Sequence, residues 1–237
     1  EGDEKCVRMA HLAVIGSFSV NGVSALHSEL LKTRVLSNFY QLYPKHFNNK
    51  TNGITQRRWL LKSNPALSNL ITEAIGDGWI TDLEHLKKLM PLANDMDFQH
   101  RWQQVKLANK KAFADHLQNA SHIYVNPATM FDIQVKRIHE YKRQMLFIMY
   151  IISQYVKIKE NPKADIVPRT FFIGGKAAPG YFMAKLIIKF ANSVAEVINN
   201  DKDAHQHLKL VFLENYRVSL AERIFPASEL SEQISTA

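Results

Sequence analysis

Cysteine is almost missing from this chain. The single Cys6 excludes an intramolecular disulfide and any zinc site built from several cysteines, and it suits a reducing compartment. Long apolar runs are missing as well. Near the main basic motif the longest run covers residues 145–152, far short of a bilayer-crossing helix. No basic-then-apolar leader opens the chain, and no internal repeat or low-complexity segment interrupts it. These absences point to a cytoplasmic protein with no membrane partner. The ten histidines are scattered, and no pair shows metal-ligand spacing with a carboxylate, so no metal is expected. No serine sits in a nucleophile elbow, which argues against acyl-enzyme chemistry.

What is present is an ordinary globular composition, 46% hydrophobic and 22% charged, over 237 residues. That length allows one large or two smaller domains. Thirty Lys and Arg against 22 Asp and Glu give a net charge of +8, which suits anionic partners without choosing among phosphates, nucleic acid or an acidic surface. The chain opens without a start methionine and closes on Ser235-Thr236-Ala237 with no stop signal, so a piece of a longer protein is expected.

The pattern along the chain changes twice. Residues 12–16 read as a strand, Asn21-Gly22 as a turn and residues 23–32 as a helix. His27 reads as a packed or capping histidine. The polar cluster 48–53 marks a boundary or a ligand loop. Residues 57–117 read mostly as helix: 58–75 ending at Gly76, a short helix opened by a Thr81 and Glu84 capping box, and 97–119. From residue 122 strands and helices alternate: strand 122–126, helix 138–160, strand 170–173, helix 181–198, strand 208–213 and helix 219–224. This alternation predicts an α/β fold with a Rossmann-like, doubly wound parallel sheet.

The run Lys136-Arg137-Ile138-His139-Glu140-Tyr141-Lys142-Arg143 places positive charge at the start of the expected 138–160 helix, where the helix dipole disfavours it. An anion at that start, such as phosphate, would make sense of it, and a solvated basic face is the competing reading. Ile138, Tyr141, Met145, Met149 and Ile152 form an apolar stripe that would take in Lys142. His139 reads as a helix-surface residue, and Glu140 as a partner for Arg143 or Lys136. Ligands in such sheets bind beyond the carboxyl ends of the strands, which here are residues 132–137, 174–180 and 214–218. The Gly174-Gly175 turn has neither dinucleotide-fingerprint nor Walker spacing and by itself reads as a strand-to-helix turn. Tyr216 and Arg217 would stand on the same rim.

Six strings in order resemble the α-glucan phosphorylases, the glycogen, starch and maltodextrin phosphorylase family. They are Val20-Asn21-Gly22-Val23 with Leu26-His27-Ser28; Lys50-Thr51-Asn52-Gly53-Ile54-Thr55 with Arg57-Arg58-Trp59; and Phe131-Asp132-Ile133-Gln134-Val135 running into residues 136–144. Then come residues 174–181, Glu214-Asn215-Tyr216-Arg217-Val218-Ser219, and Ser231-Glu232-Gln233-Ile234-Ser235-Thr236-Ala237. They span essentially the whole chain. The resemblance implies a glycosyltransferase of two facing Rossmann-like domains. In it inorganic phosphate cleaves an α-1,4-glucan to α-D-glucose 1-phosphate, with pyridoxal 5′-phosphate acting through its phosphate.

By that resemblance Lys136 contacts the cofactor phosphate, Arg137 holds the substrate phosphate and Lys142 lies between the two, making these three the catalytic cations. Trp59, Tyr216, Arg217 and Val218 line the cofactor, Tyr141 reaches glucose hydroxyls, and Asn52 and Val23 bind the sugar. Residues 1–55 would be the end of the N-terminal catalytic domain, and 56–237 the first part of the C-terminal cofactor-binding domain, truncated before the cofactor lysine. The intact enzyme would be a homodimer, and this piece alone inactive. Gln56 departs from the family, which has proline there.

Two other classes keep a place. A nucleotide-sugar glycosyltransferase of the same architecture also sets Lys and Arg against phosphates, although Trp59 and Tyr216-Arg217-Val218 favour the phosphorylase. A basic nucleic-acid module would spread its charge along one face with exposed aromatics, whereas here it gathers in one segment.

Overall fold

A computed structural model describes residues 5–162 and 165–236; Ala237, the last residue of the final motif, lies outside them. The chain divides into two compact units, Glu1–Thr55 and Gln56–Ala237.

In the first unit the 12–16 run is helical rather than extended, as part of α1 (Met9–Ile15). A four-residue apolar run carries no period that separates helix from strand. Only Val14 of it is buried, with Leu12 and Ile15 exposed. Asn21-Gly22, expected as a turn, instead lies in β1 (Val20–Gly22), which pairs in parallel with β2 (Phe47–Asn49). Glycine is required there for packing. A Cβ on Gly22 would stand 2.1 Å from Ser28 Oγ and 2.5 Å from Ser28 Cα, on α2 (Ala25–Leu30). Ser24 caps α2 by accepting from His27 N at 3.1 Å, and His27 is the capping kind of histidine, its Nδ1 accepting from Val23 N at 3.0 Å. A π-helical turn (Leu31–Val35) and α3 (Ser37–Leu42) follow, over a small core of Val14, Leu36 and Phe47.

In the second unit the expected 58–75 helix is two pieces, a π-helical Arg57–Lys62 and α4 (Pro65–Ile75). Asn64 Oδ1 accepts from Leu67 N at 3.4 Å and Pro65 opens α4, which is how a helix start is written locally. The Thr81 and Glu84 capping box does not form. Asp82 takes the Glu84 N–H at 3.0 Å instead, and residues Leu83–Asn94 are 3-10 helix with Pro91 inside. The long α5 (Met96–Ser121) ends at His122, whose φ of 56° is left-handed, so 122–126 is not the expected strand.

The main sheet consists of β3 (Met130–Val135), β4 (Arg169–Gly174), β5 (Leu208–Leu213) and the two-residue β6 (Leu230–Ser231), which the sequence did not announce. All pairs are parallel and the order is β5-β4-β3-β6. Between the strands run α6 (Gln144–Glu160), α7 (Phe182–Asn200) and α8 (Val218–Ala227). Helices α6 and α7 close one face over Phe171, Ile173 and Leu210, while α5 and α8 close the other over Phe131, Phe172 and Val211. The chain steps outward from β3 to β5 and then returns to lay β6 on the opposite side of β3. The strand order therefore reverses between β3 and β6, and ligands of open α/β sheets collect beyond the strand ends at such a reversal. Among the described residues no helix is long and apolar enough to cross a membrane.

Candidate functional site

In the sheet register Val135 faces Gly174, and Gly174 faces Leu213, so the three rim segments leave the sheet side by side. The helix expected from residue 138 begins only at Gln144. Residues 136–143 are instead a loop with one 3-10 turn, Glu140–Lys142, ended by Arg143 at a φ of 58°. The basic charge therefore sits on the exit from β3, not on a helix start, and Lys142 is not part of a helical stripe. The proposed stripe has the wrong phase. Met145 and Met149 are 40% and 58% exposed, and the buried face is Phe147, Ile148, Ile151 and Ile158.

Two buried glutamines explain why the loop needs no helical ladder. Gln134 Nε2 donates to Lys142 O at 3.0 Å. Gln144 Nε2 donates to Arg137 O at 3.0 Å, and its Oε1 accepts from His139 N at 3.3 Å. From the other side Arg143 Nε donates to Ile234 O, and Thr236 N donates to Tyr141 O at 2.9 Å. Backbone polar groups of a surface loop thus find partners, as buried groups must. Polar residues inside apolar elements were the available signal, and the sequence reading passed them over.

Besides Arg143, the loop carries three cations. Lys136 Nζ donates to Glu232 O and to Gln233 Oε1, both at 2.9 Å. Burial, then the neighbouring charge of Lys142, holds its ammonium below the usual lysine range, with Glu232 opposing. Lys142 Nζ stands 4.5 Å from the centre of the Tyr141 ring. Arg137 is exposed. Among the described residues none of the three forms an ion pair.

Beside the loop, Gly175 is a position where only glycine fits. A Cβ there would stand 2.1 Å from Lys136 O and 2.9 Å from Ile138 Cδ1. Beyond β5, Asn215 turns the chain with a φ of 50°, and Tyr216 follows half-buried, its hydroxyl pushed upward by burial. Its ring lies 3.5 Å from where a Gly174 Cβ would be. Arg217 and Val218 are exposed at the start of α8. Tyr216, Gly174, Gly175 and Lys136 therefore share one rim.

Trp59 is placed differently. Its ring packs edge-on against Phe225 at 5.6 Å, near the far end of α8, while Arg58 pairs with Glu222 at 2.7 Å. Phe225 lies seven residues beyond Val218, ~10 Å along the helix. In the first unit Asn52 N donates to Val23 O at 2.9 Å, so these two exposed residues are brought together.

A family model described as carbohydrate phosphorylase matches residues 1–237. The chain is 55% identical over 237 residues to a glycogen phosphorylase of Synechocystis and 54% identical over 237 residues to the brain-form glycogen phosphorylase of Homo sapiens. Each of these alignments covers 100% of this chain and 28% of the relative. It is 54% identical over 233 residues to the liver form of Bos taurus, covering 98% of this chain and 27% of that protein. The chain thus spans little more than a quarter of the length of these relatives.

Proposed function

This chain belongs to the carbohydrate phosphorylase family, and we propose that it supplies the phosphate-handling part of an α-1,4-glucan phosphorylase. The observation that carries this reading is that Lys136 and Lys142 stand near one another, with Arg137 exposed on the same loop beyond β3, at the reversal of strand order and with no ion-pair partner among the described residues. Phosphorolysis brings anionic oxygens to a sugar carbon. The substrate phosphate attacks C1, the C1–O4 bond breaks and the departing O4 takes a proton. Fixed cations stabilise the charge gathered there.

Pyridoxal 5′-phosphate fits as cofactor on two counts. Lys136 and Lys142 repel one another, a strain that an added phosphate relieves. The bare backbone at Gly174-Gly175 leaves room for a ligand to approach closely. When bound, it supplies a second phosphate able to exchange a proton with the substrate phosphate. Lys136 and Lys142 would hold it from the β3 side, and Tyr216, Arg217 and Val218 would line it from the β5 side. Trp59, which packs on Phe225, would line it as well. Arg137, exposed and without an ion pair among the described residues, would take the substrate phosphate with its planar fork. Tyr141, Val23 and Asn52 would serve the sugar. The glucan, the homodimer and the cytoplasmic setting belong to this same proposal.

Glucose 1-phosphate release from maltodextrin and phosphate by the full-length enzyme tests it. Arg137→Ala is expected to weaken phosphate use while cofactor absorbance survives. A lost charge-assisted contact is worth roughly 1.5–3 kcal/mol, hence about 10- to 150-fold in kcat/KM. Unchanged phosphate kinetics in that variant would remove the role. Lys142→Met is expected to leave the melting temperature within a few degrees, because the methionine keeps the contact with Tyr141, while turnover falls at least tenfold. Full turnover in that variant would show that Lys142 has no anion to hold.

A further inference from the structure

Asp132 lies within β3 and is completely buried. Its Oδ2 accepts from Arg169 Nη1 at 3.2 Å, and the same nitrogen also donates to the Tyr150 hydroxyl at 3.0 Å. Its Oδ1 has no hydrogen-bond partner among the described residues. A buried carboxylate with a bare oxygen is costly, which favours the protonated form.

The neighbouring strand supplies the missing partner. β6 sets Leu230 opposite Asp132 and Ser231 opposite Ile133, and Glu232 N continues the ladder to Ile133 O at 2.8 Å. Side chains alternate faces along a strand, so Glu232 projects on the face that carries Asp132 and Gln134. There its carboxyl reaches that of Asp132. Two carboxylates are both acceptors, and only a proton between them makes a hydrogen bond. Burial, with Glu232 beside it, pushes Asp132 up to about 7, against the pull of Arg169. The groups surrounding the pair are Arg169 from β4, Tyr150 from α6, Gln134 on β3 and Lys136 just past its end. Glu232 also seats Lys136, through its main-chain oxygen, with Gln233 Oε1 alongside.

We propose that Asp132 and Glu232 share one proton, and that this proton positions Lys136 by holding the 230–233 segment against β3. Asp132 is a positioning residue here, acting through Glu232. Its importance for catalysis rests on the phosphate role given to Lys136 above, but the positioning itself does not. When the proton leaves to solvent, two carboxylates face each other, and Arg169 is paired with Asp132 alone. Repulsion then loosens the segment and the carbonyl under Lys136. The sign follows from the raised affinity for the proton in the folded state. The stabilisation is complete below the ordinary carboxylate range and is lost as pH rises through about 7.

Carboxyl 13C titration of Asp132, read together with the 15Nζ shift of Lys136 in the selectively labelled full chain, tests this. The expected result is a near-neutral midpoint for Asp132 and a Lys136 step with the same midpoint. Glu232→Gln should lower the Asp132 midpoint by more than one pH unit and erase the Lys136 step. Asp132→Asn keeps a donor that cannot titrate, and should hold Lys136 in its low-pH state throughout. An Asp132 already ionised by pH 5, or a Lys136 signal with no step, would overturn the proposal. Lys136→Ala reports on the other reading: unchanged phosphate affinity would sink the phosphate role, while the carboxyl titration in wild type would stand.

Discussion

Gly175→Ala is expected to lower the melting temperature of the protein by roughly 6–12 °C and to abolish any anion binding on the β3 loop. The added Cβ would stand 2.1 Å from Lys136 O, a backbone atom that no rotamer change can move aside. Relief requires parting the exits of β3 and β4, which strains Lys136 N to Gly174 O at 2.9 Å and Ile138 N to Lys176 O at 3.2 Å. Overpacking of this kind costs about 3 kcal/mol at its upper end, and each kcal/mol moves the midpoint by about 2–4 °C in a chain of this size. Gly180→Ala is the control, since nothing lies within 4 Å of its Cβ position. Scanning calorimetry of both variants decides. Equal midpoints would show that the two strand exits part without cost.

A loss of about 3 kcal/mol is likewise expected from Lys110→Met. Lys110 is 5% exposed on α5, and its Nζ donates to Thr129 O at 2.7 Å and to Glu229 Oε1 at 2.6 Å. The other oxygen of Glu229 accepts from Phe131 N at 2.6 Å, so this one pair fastens the start of β3 to the approach of β6. Methionine fills the volume but strands a carboxylate and a carbonyl. Removing one partner of a buried pair typically costs 3–5 kcal/mol, and the partial exposure of Glu229 argues for about the lower figure. Adding Glu229→Gln should recover part of the loss, because glutamine still accepts from Phe131 N without a charge. Urea midpoints of the single and double variants measure this. A double variant no better than the single would mean that lost packing, not a stranded charge, sets the cost.

Legibility in the sequence followed local redundancy. The 181–198 helix was readable because it has a clean period and is buried as that period requires, and the strand 208–213 because it is a short run rich in apolar residues that ends at a polar turn. Two rim segments were readable from the ends of the strands at 170–173 and 208–213, whereas residues 132–135, expected beyond a strand at 122–126, lie inside β3. Where two short-range signals competed, the reading failed. Residues 138–143 continue the spacing of α6 by coincidence, and what stops the helix lies outside it: Gln134 and Thr236 bind that loop's backbone, and the Ile234 carbonyl takes the Arg143 side chain. β6 is two residues long, too short to show alternation, and forms only because Glu229 and Glu232 hook onto Phe131 and Ile133. The chemical identity of the cations was legible, but their setting was not. Lys136 is held by a segment 96 residues away in the chain.

That distance has a kinetic consequence. β3, β4 and β5 are joined by successive crossovers and can zip in chain order, whereas β6 must return across 98 residues to meet β3. Long closures of this sort come late in folding, because their entropy is spent before any contact repays it. Until then the outer edge of β3 is a row of unpaired amides beside Phe131 and Ile133, open to strand-by-strand association with another chain. The same late step that closes this edge also puts Glu232 and Gln233 under Lys136. A partly folded population would therefore be both aggregation-prone and blind to phosphate, and the two defects should vanish together as refolding completes.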